Sequence, residues 1–123
     1  ILLGITEEDT LDDIDYLVQK ICMMRIFSDV EGKMNLSVRD TGGSIMVISQ
    51  FTLFAQTRKG NRPSFILAAR PETAIPLYEA FLSKMDTSME RRTARGIFGA
   101  DMKVSLINDG PVTIVIDSKN KDL

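Results

Sequence analysis

The sequence predicts an α+β fold: a single domain over residues 1–123, with two main helices packed on a mixed or mostly antiparallel sheet. Three observations predict it. Strand-sized apolar runs alternate with two longer segments at helical spacing, in the order strand, helix, strands, helix, strands. A length of 123 residues suits one domain with one modest core. A composition of 44% hydrophobic and 26% charged residues is that of an ordinary globular chain, with no repeat, linker or low-complexity segment to divide it.

Each element has its own signal. Ile1 to Ile5 reads as a buried strand, followed by an acidic turn from Thr6 to Asp9. The chain opens in mid-strand without an initiator Met, which predicts a further segment ahead of it. Thr10 and Asp13 have the spacing of a capping box, with Asp standing in for Glu. Leu11, Ile14, Leu17, Val18, Ile21 and Cys22 then predict a helix from Leu11 to Met24 with one apolar face. Ile26 to Leu36 holds a loop or hairpin turn at Ser28-Asp29 and Glu31-Gly32-Lys33, and Thr41-Gly42-Gly43 is a second turn.

Ser44 to Phe54 reads as the central strand, bent near Gln50, and Gln56 to Arg62 as a basic loop. Leu77, Tyr78, Phe81, Leu82 and Met85 predict a second helix over Ala74 to Met85. Thr73 is its expected cap, because Pro76 is tolerated only in a first turn. Asp86 to Gly96 shows no pattern. Phe98 to Ile107 and Val112 to Asp117 read as a strand hairpin, and Ser118 to Leu123 as a tail.

Composition narrows the chemistry. There is no histidine and only one cysteine, Cys22. That excludes a Ser-His-Asp triad, a Cys-His pair and most zinc sites, so neither a metal nor a cofactor is expected. The lone cysteine forms no intrachain disulfide and suits a reducing compartment, the cytoplasm. No apolar run approaches the roughly 20 residues of a membrane span. At a net charge of −2 the molecule as a whole does not attract nucleic acid, and no DNA partner is expected. The cations nevertheless cluster, with Arg58, Lys59 and Arg62 in one group and Arg91, Arg92 and Arg95 in another. Such patches suit phosphates, or are simply solvated loops.

Two motifs stand out. Ser49, Gln50 and Thr52 interrupt the apolar end of the central strand around Phe51. Buried polar groups cost about 1–3 kcal/mol each when unpaired, so three together need a purpose. The second motif is Asn108-Asp109-Gly110-Pro111-Val112-Thr113. Its plain reading is a hairpin turn, since Asn-Asp-Gly favours positive φ. Pro111 disfavours the simplest two-residue turn, and the Gly110–Pro111 bond is a candidate for cis.

These motifs, taken with Lys59-Gly60-Asn61-Arg62-Pro63-Ser64-Phe65 and Phe98-Gly99-Ala100-Asp101-Met102, resemble the D-aminoacyl-tRNA deacylases of the widespread bacterial and eukaryotic type. The resemblance runs nearly the full length, departing at the front, where the family has additional first strands. It implies a compact homodimer that hydrolyses the ester of a D-aminoacyl-tRNA at the 3′-terminal adenosine, and that also cleaves glycine mischarged on alanine tRNA. Ser49, Gln50, Phe51 and Thr52 would form the catalytic segment. Gly110–Pro111 would be cis and would reach into the partner's pocket to hold the α-amino group. Phe98 and Met102 match positions near the terminal adenosine, and Ala74 a small residue near the amino acid.

With no histidine to activate Thr52, the expected base is the 2′-hydroxyl of the substrate's own ribose. Two other readings remain open from the residues: a non-catalytic module that binds an RNA end or a peptide, and a dimeric scaffold shaped by Gly110-Pro111.

Overall fold

The computed structural model describes residues 1–123. Strand β1 is Leu2–Leu3, helix α1 is Leu11–Met23, and β2 (Phe27–Ser28) and β3 (Met34–Leu36) form a small antiparallel hairpin. Strand β4 (Met46–Ser49) leads into a short 3₁₀ turn at Phe51–Phe54, and helix α2 (Pro71–Met89) precedes β5 (Ala94–Arg95). The main sheet has the order β1-β4-β5 and both of its ladders are parallel, each crossover carrying one helix. Antiparallel pairing is confined to the β2–β3 hairpin and three isolated bridges. Two helices on a small sheet arrangement of both polarities is the predicted α+β class.

Helix α1 forms as its sequence dictates. Thr10 and Asp13 make the expected capping box, in which the Thr10 N–H donates to Asp13 Oδ2 at 2.8 Å. The apolar stripe buries Ile14, Val18 and Cys22. These meet Ala74, Tyr78, Phe81, Leu82 and Met85 of α2 and Leu3, Ile5 and Val47 of the sheet in one core. Cys22 donates to the Met85 sulfur at 3.5 Å, and burial pushes its thiol pKa up. A thiolate is thereby disfavoured, so Cys22 is a packing residue and not a nucleophile.

Helix α2 differs from expectation at both ends. It begins at Pro71 with Arg70 as its cap, not at Ala74 with Thr73, and it continues to Met89. Pro71 fits the first turn because its missing N–H is one that would lack a partner anyway. Pro76 lies inside the helix on the exposed face, where water reaches the backbone it leaves unpaired. The helix ends at Glu90, whose φ of 55° closes a left-handed cap.

Phe98 to Ile107 and Val112 to Asp117 do not form the expected hairpin strands. Phe98 to Ala100 is a turn, and residues 101–107 and 112–116 run without a ladder. Alternation of apolar residues signals a strand only where a neighbouring strand accepts the hydrogen bonds. Here Leu106, Ile107 and Val115 are 72%, 91% and 67% exposed. Strand β5, by contrast, forms in a polar stretch where no pattern announced it, because β4 offers it a free edge.

One ion pair ties β5 to α2. Arg95 donates to both oxygens of Asp86 at 2.6 and 2.7 Å, and the Thr93 N–H donates to the same carboxylate at 2.7 Å. Burial raises the Asp86 pKa, but these donors outweigh it and hold the carboxyl at about 2. A pKa depressed on folding stabilises above the unfolded value, ordinarily near 3.8, and that stability is lost as pH falls through the folded value. The protein should therefore lose stability between about pH 4 and pH 2, as read by urea unfolding. Asp86→Asn should flatten that slope and lower stability at neutral pH. An unchanged slope would remove Asp86 from the account.

Candidate active site

Strand β4 delivers the first motif. Its buried residues Val47 and Ile48 give way to half-buried Ser49, and the chain then leaves the sheet at Gln50. The central strand thus ends five residues before the expected Phe54, and the bend at Gln50 is a transition into the 3₁₀ turn. Gln50 remains anchored, its N–H donating to the Leu3 carbonyl at 2.8 Å. Its side-chain amide donates to the Thr52 hydroxyl, so the two polar side chains satisfy each other.

The turn has no side-chain cap. The N–H groups of Phe51 and Thr52, the first two of the turn, donate to no acceptor in the fold. Ser49, Gln50 and Thr52 are half-buried, while Phe51 and Leu53 are exposed. No histidine, carboxylate or lysine lies within the stretch. The arrangement presents backbone donors and neutral side chains at a strand end, without a general base of its own.

The exposed Phe51 ring meets Phe65 edge to face at a centroid distance of 5.2 Å. Phe65 is held there by the base of the basic loop, where Gln56 and Ser64 exchange backbone hydrogen bonds of 2.8 and 3.0 Å. At the loop's tip Arg58, Lys59 and Arg62 are exposed and make no ion pair. The second basic group is different. Arg95 is committed to Asp86, and Arg91 donates to the Gly43 carbonyl and the Ser44 hydroxyl. Of that trio only Arg95 is neutralised by a carboxylate; Arg91 and Arg92 are exposed and make no ion pair.

Phe98 packs against the core and tilts over Tyr78 at 5.8 Å. Tyr78 is buried and donates to the carbonyls of Val47 and Gly96, both at 3.4 Å, which links α2 to the ends of β4 and β5. Met102 lies over Gly96, so close that a Cβ there would fall 2.2 Å from its sulfur. Met102 also lines an open cavity of about 300 Å³ with Met46, Ile48, Gly96, Lys103, Val104 and Ser105. Sequence reasoning missed Gly96, Ile48 and Met46. The only sequence signal for them was the glycine itself, just ahead of the Phe98 motif. Ala74 is 3% exposed and sits within the core at the start of α2.

The second motif forms an exposed loop tip. The Gly110–Pro111 bond is cis, as expected, and Gly110 has φ +126°. Asn108 braces the tip from both sides: its Oδ1 accepts from the Val112 N–H and its Nδ2 donates to the Thr113 hydroxyl, each at 2.9 Å. Gly110 and Pro111 are exposed, and no hydrogen bond joins them to Ser49–Thr52 of the same chain. The structure thus groups Ser49, Gln50, Phe51 and Thr52 at one strand end and Phe98 with Met102 beside β5. No hydrogen bond joins the Gly-Pro tip to either.

Comparison with known proteins matches this arrangement to one family. Residues 1–117 fit the profile of the family described as D-Tyr-tRNA(Tyr) deacylase. A D-aminoacyl-tRNA deacylase of Akkermansia muciniphila is 62% identical over 122 residues, covering 99% of this chain and 81% of that protein. One from Cytophaga hutchinsonii is 61% identical, covering 98% of this chain and 81% of its own. Among solved structures, a c-Myc DNA unwinding element binding protein is 42% identical with a TM-score of 0.82, over 92% of this chain and 76% of that one. A probable eukaryotic D-amino acid tRNA deacylase shares the fold at 14% identity and a TM-score of 0.69, over 81% of this chain and 74% of that one. Near-complete coverage at such identity, on a fold that places the polar strand end and the braced Gly-Pro tip as described, leaves one conclusion: the chain belongs to the D-Tyr-tRNA(Tyr) deacylase family.

Proposed function

We propose that the protein hydrolyses the ester of D-aminoacyl-tRNA, releasing the D-amino acid and free tRNA, and so proofreads chirality in translation. Family membership supports the reaction, and the strand end supports the way it is done. The carrying observation is the pair of unoccupied N–H groups on Phe51 and Thr52, beside side chains that hold no base. Such donors suit the oxyanion that develops when water attacks an ester carbonyl. The proton must then be taken by something other than the protein. The vicinal 2′-hydroxyl of the terminal ribose lies next to the ester and relays that proton, accepting it from the attacking water as it passes its own to the departing 3′-oxygen, so that the free amino acid and an intact ribose diol result. The enzyme supplies position and oxyanion stabilisation.

Phe98 and Met102 offer an aromatic face and a thioether to the terminal adenine. Arg58, Lys59 and Arg62 face the phosphates behind it. The Gly-Pro tip is exposed and makes no hydrogen bond to its own strand end, which suits action on the pocket of a second subunit in a homodimer. Its two carbonyls there hold the α-amino group. A D-side chain is then directed outward, and an L-side chain is driven into the Gly110–Pro111 backbone. Nothing in this device reads a side chain, so glycine on alanine tRNA is also a substrate. No helix is long and apolar enough to cross a membrane, and the reaction belongs with the translation machinery in the cytoplasm. A module that merely binds RNA ends is the weaker reading, because the relatives that match over nearly the whole chain are named as deacylases.

Thr52→Ala separates this mechanism from nucleophilic catalysis. The variant loses the hydroxyl that accepts from Gln50 but keeps both backbone donors. Its single-turnover rate on D-tyrosyl-tRNA should fall by no more than about tenfold, whereas loss of a true nucleophile removes nearly all turnover. Residual activity below about one part in 10⁴ would return Thr52 to the role of nucleophile.

A further inference from the structure

The 3₁₀ turn that carries the free N–H groups of Phe51 and Thr52 rests on Gly4. A Cβ placed at Gly4 would fall 2.8 and 3.1 Å from Cε2 and Cδ2 on the edge of the Phe54 ring, and 3.3 Å from Leu53 Cβ. Carbon atoms in ordinary contact stand about 3.5–4.0 Å apart, so no larger side chain fits here without movement. Conformation is not what calls for glycine, because the φ of Gly4 is not positive. Space is: two consecutive residues of the turn occupy the volume that a methyl group would need.

The turn cannot retreat from such a methyl group as a whole. At its start the Gln50 N–H is bonded to the Leu3 carbonyl at 2.8 Å, one residue from Gly4, and Leu3 pairs with Ser49 in the β1–β4 ladder. Past its end Gln56 exchanges backbone bonds of 2.8 and 3.0 Å with Ser64. The Phe54 ring can swing on its side chain, but Leu53 Cβ is one bond from the backbone of the turn and moves only with it. Pressure from Gly4 therefore reorients the turn between two fixed ends, and the N–H groups of Phe51 and Thr52 change their aim.

We propose that Gly4 is a positioning residue for ester hydrolysis: its bare Cα sets how closely the turn packs at the end of β1, and thereby where the two N–H groups point. An oxyanion is stabilised only by donors held about 2.7–3.1 Å from the developing charge. A small rotation of the turn thus costs rate without touching the phosphate contacts that hold the tRNA. The proposal rests on the reading of the two N–H groups as the oxyanion site. The packing of the turn on Gly4 is a separate geometrical claim.

The test places Gly4→Ala in two backgrounds: the wild-type protein, and Phe54→Leu, which lacks the ring edge that the methyl group would meet. In the wild-type background kcat on D-tyrosyl-tRNA should fall about tenfold, while KM changes by less than about threefold. The amide signals of Phe51 and Thr52 in a proton–nitrogen correlation spectrum should shift. In the Phe54→Leu background the same substitution should cost less than about threefold in kcat and move the two signals little, the non-additivity expected of residues in contact. If Gly4→Ala alone does not fold, the double variant should; failure to fold in both backgrounds overturns the seat. Unmoved signals in Gly4→Ala overturn it as well, and so does an equal loss in the two backgrounds. Shifted signals with an unchanged kcat overturn the positioning role. A wild-type protein inactive on D-tyrosyl-tRNA would contradict the proposed reaction instead, and the amide signals would still decide the seat.

Discussion

A substrate whose terminal adenosine carries hydrogen in place of the 2′-hydroxyl should be bound and not turned over. The reasoning starts from what the site lacks. Ser49, Gln50 and Thr52 are neutral, Gln50 and Thr52 satisfy each other, and the chain has no histidine. The thiol of Cys22 is buried in the core with its pKa raised. General base catalysis contributes typically 10²–10⁴-fold to such reactions, and no side chain near the strand end can supply it. The rate on the deoxy substrate should therefore drop by about 10²–10⁴-fold, measured as single-turnover release of labelled D-tyrosine. Binding, measured separately by filter retention, should change by less than about threefold, since one hydroxyl adds little to a phosphate-dominated contact. Full activity on the deoxy substrate would show that the protein holds a base that the structure does not reveal.

Gly110→Ala should damage discrimination more than any other single change at the Gly-Pro tip. Gly110 has φ +126°, a conformation that L-residues rarely adopt. An added Cβ would also fall 3.0 Å from Val112 Cγ2 and 3.3 Å from the Val112 nitrogen. That nitrogen donates to Asn108, so the crowding falls on the brace that shapes the tip. Under the proposed mechanism the methyl group would also crowd the tip that holds the substrate's amino group. The D-over-L ratio of kcat/KM should fall at least about tenfold, mainly through loss of activity on the D-substrate. The core is remote from the exposed tip, so the melting temperature should move by less than about 3 °C. A full ratio in Gly110→Ala would remove the tip from chiral selection.

Much of the fold was legible because local chemistry decided it. The capping box of Thr10 and Asp13 and the stripe from Ile14 to Cys22 fixed α1 within a residue of its observed end. The polar residues after Ile48 marked a strand end because apolar strands do not tolerate three polar side chains without a reason. Where tertiary pairing decided, the residues were silent. Ala94 and Arg95 become a strand only because β4 has a free edge, and a two-residue strand has no period to detect. The residues from Met102 to Ile107 have a strand's composition but no partner in the chain. Pro71 and Pro76 both occur in α2, and an exposed proline near a helix start reads equally well as a boundary. The site divided in the same way. The polar strand end and the Gly-Pro tip of the candidate site are each contiguous in sequence and were legible as motifs. The seating of Met102 on Gly96 joins residues through space and was not.

Chirality is the central claim, and one comparison tests it most directly. The purified protein is incubated with D-tyrosyl-tRNA and L-tyrosyl-tRNA made on the same tRNA, and deacylation of each is followed against the uncatalysed rate. Rapid release from the D-substrate, with the L-substrate hydrolysed no faster than in buffer, is the predicted result. Equal cleavage of the two would contradict the account.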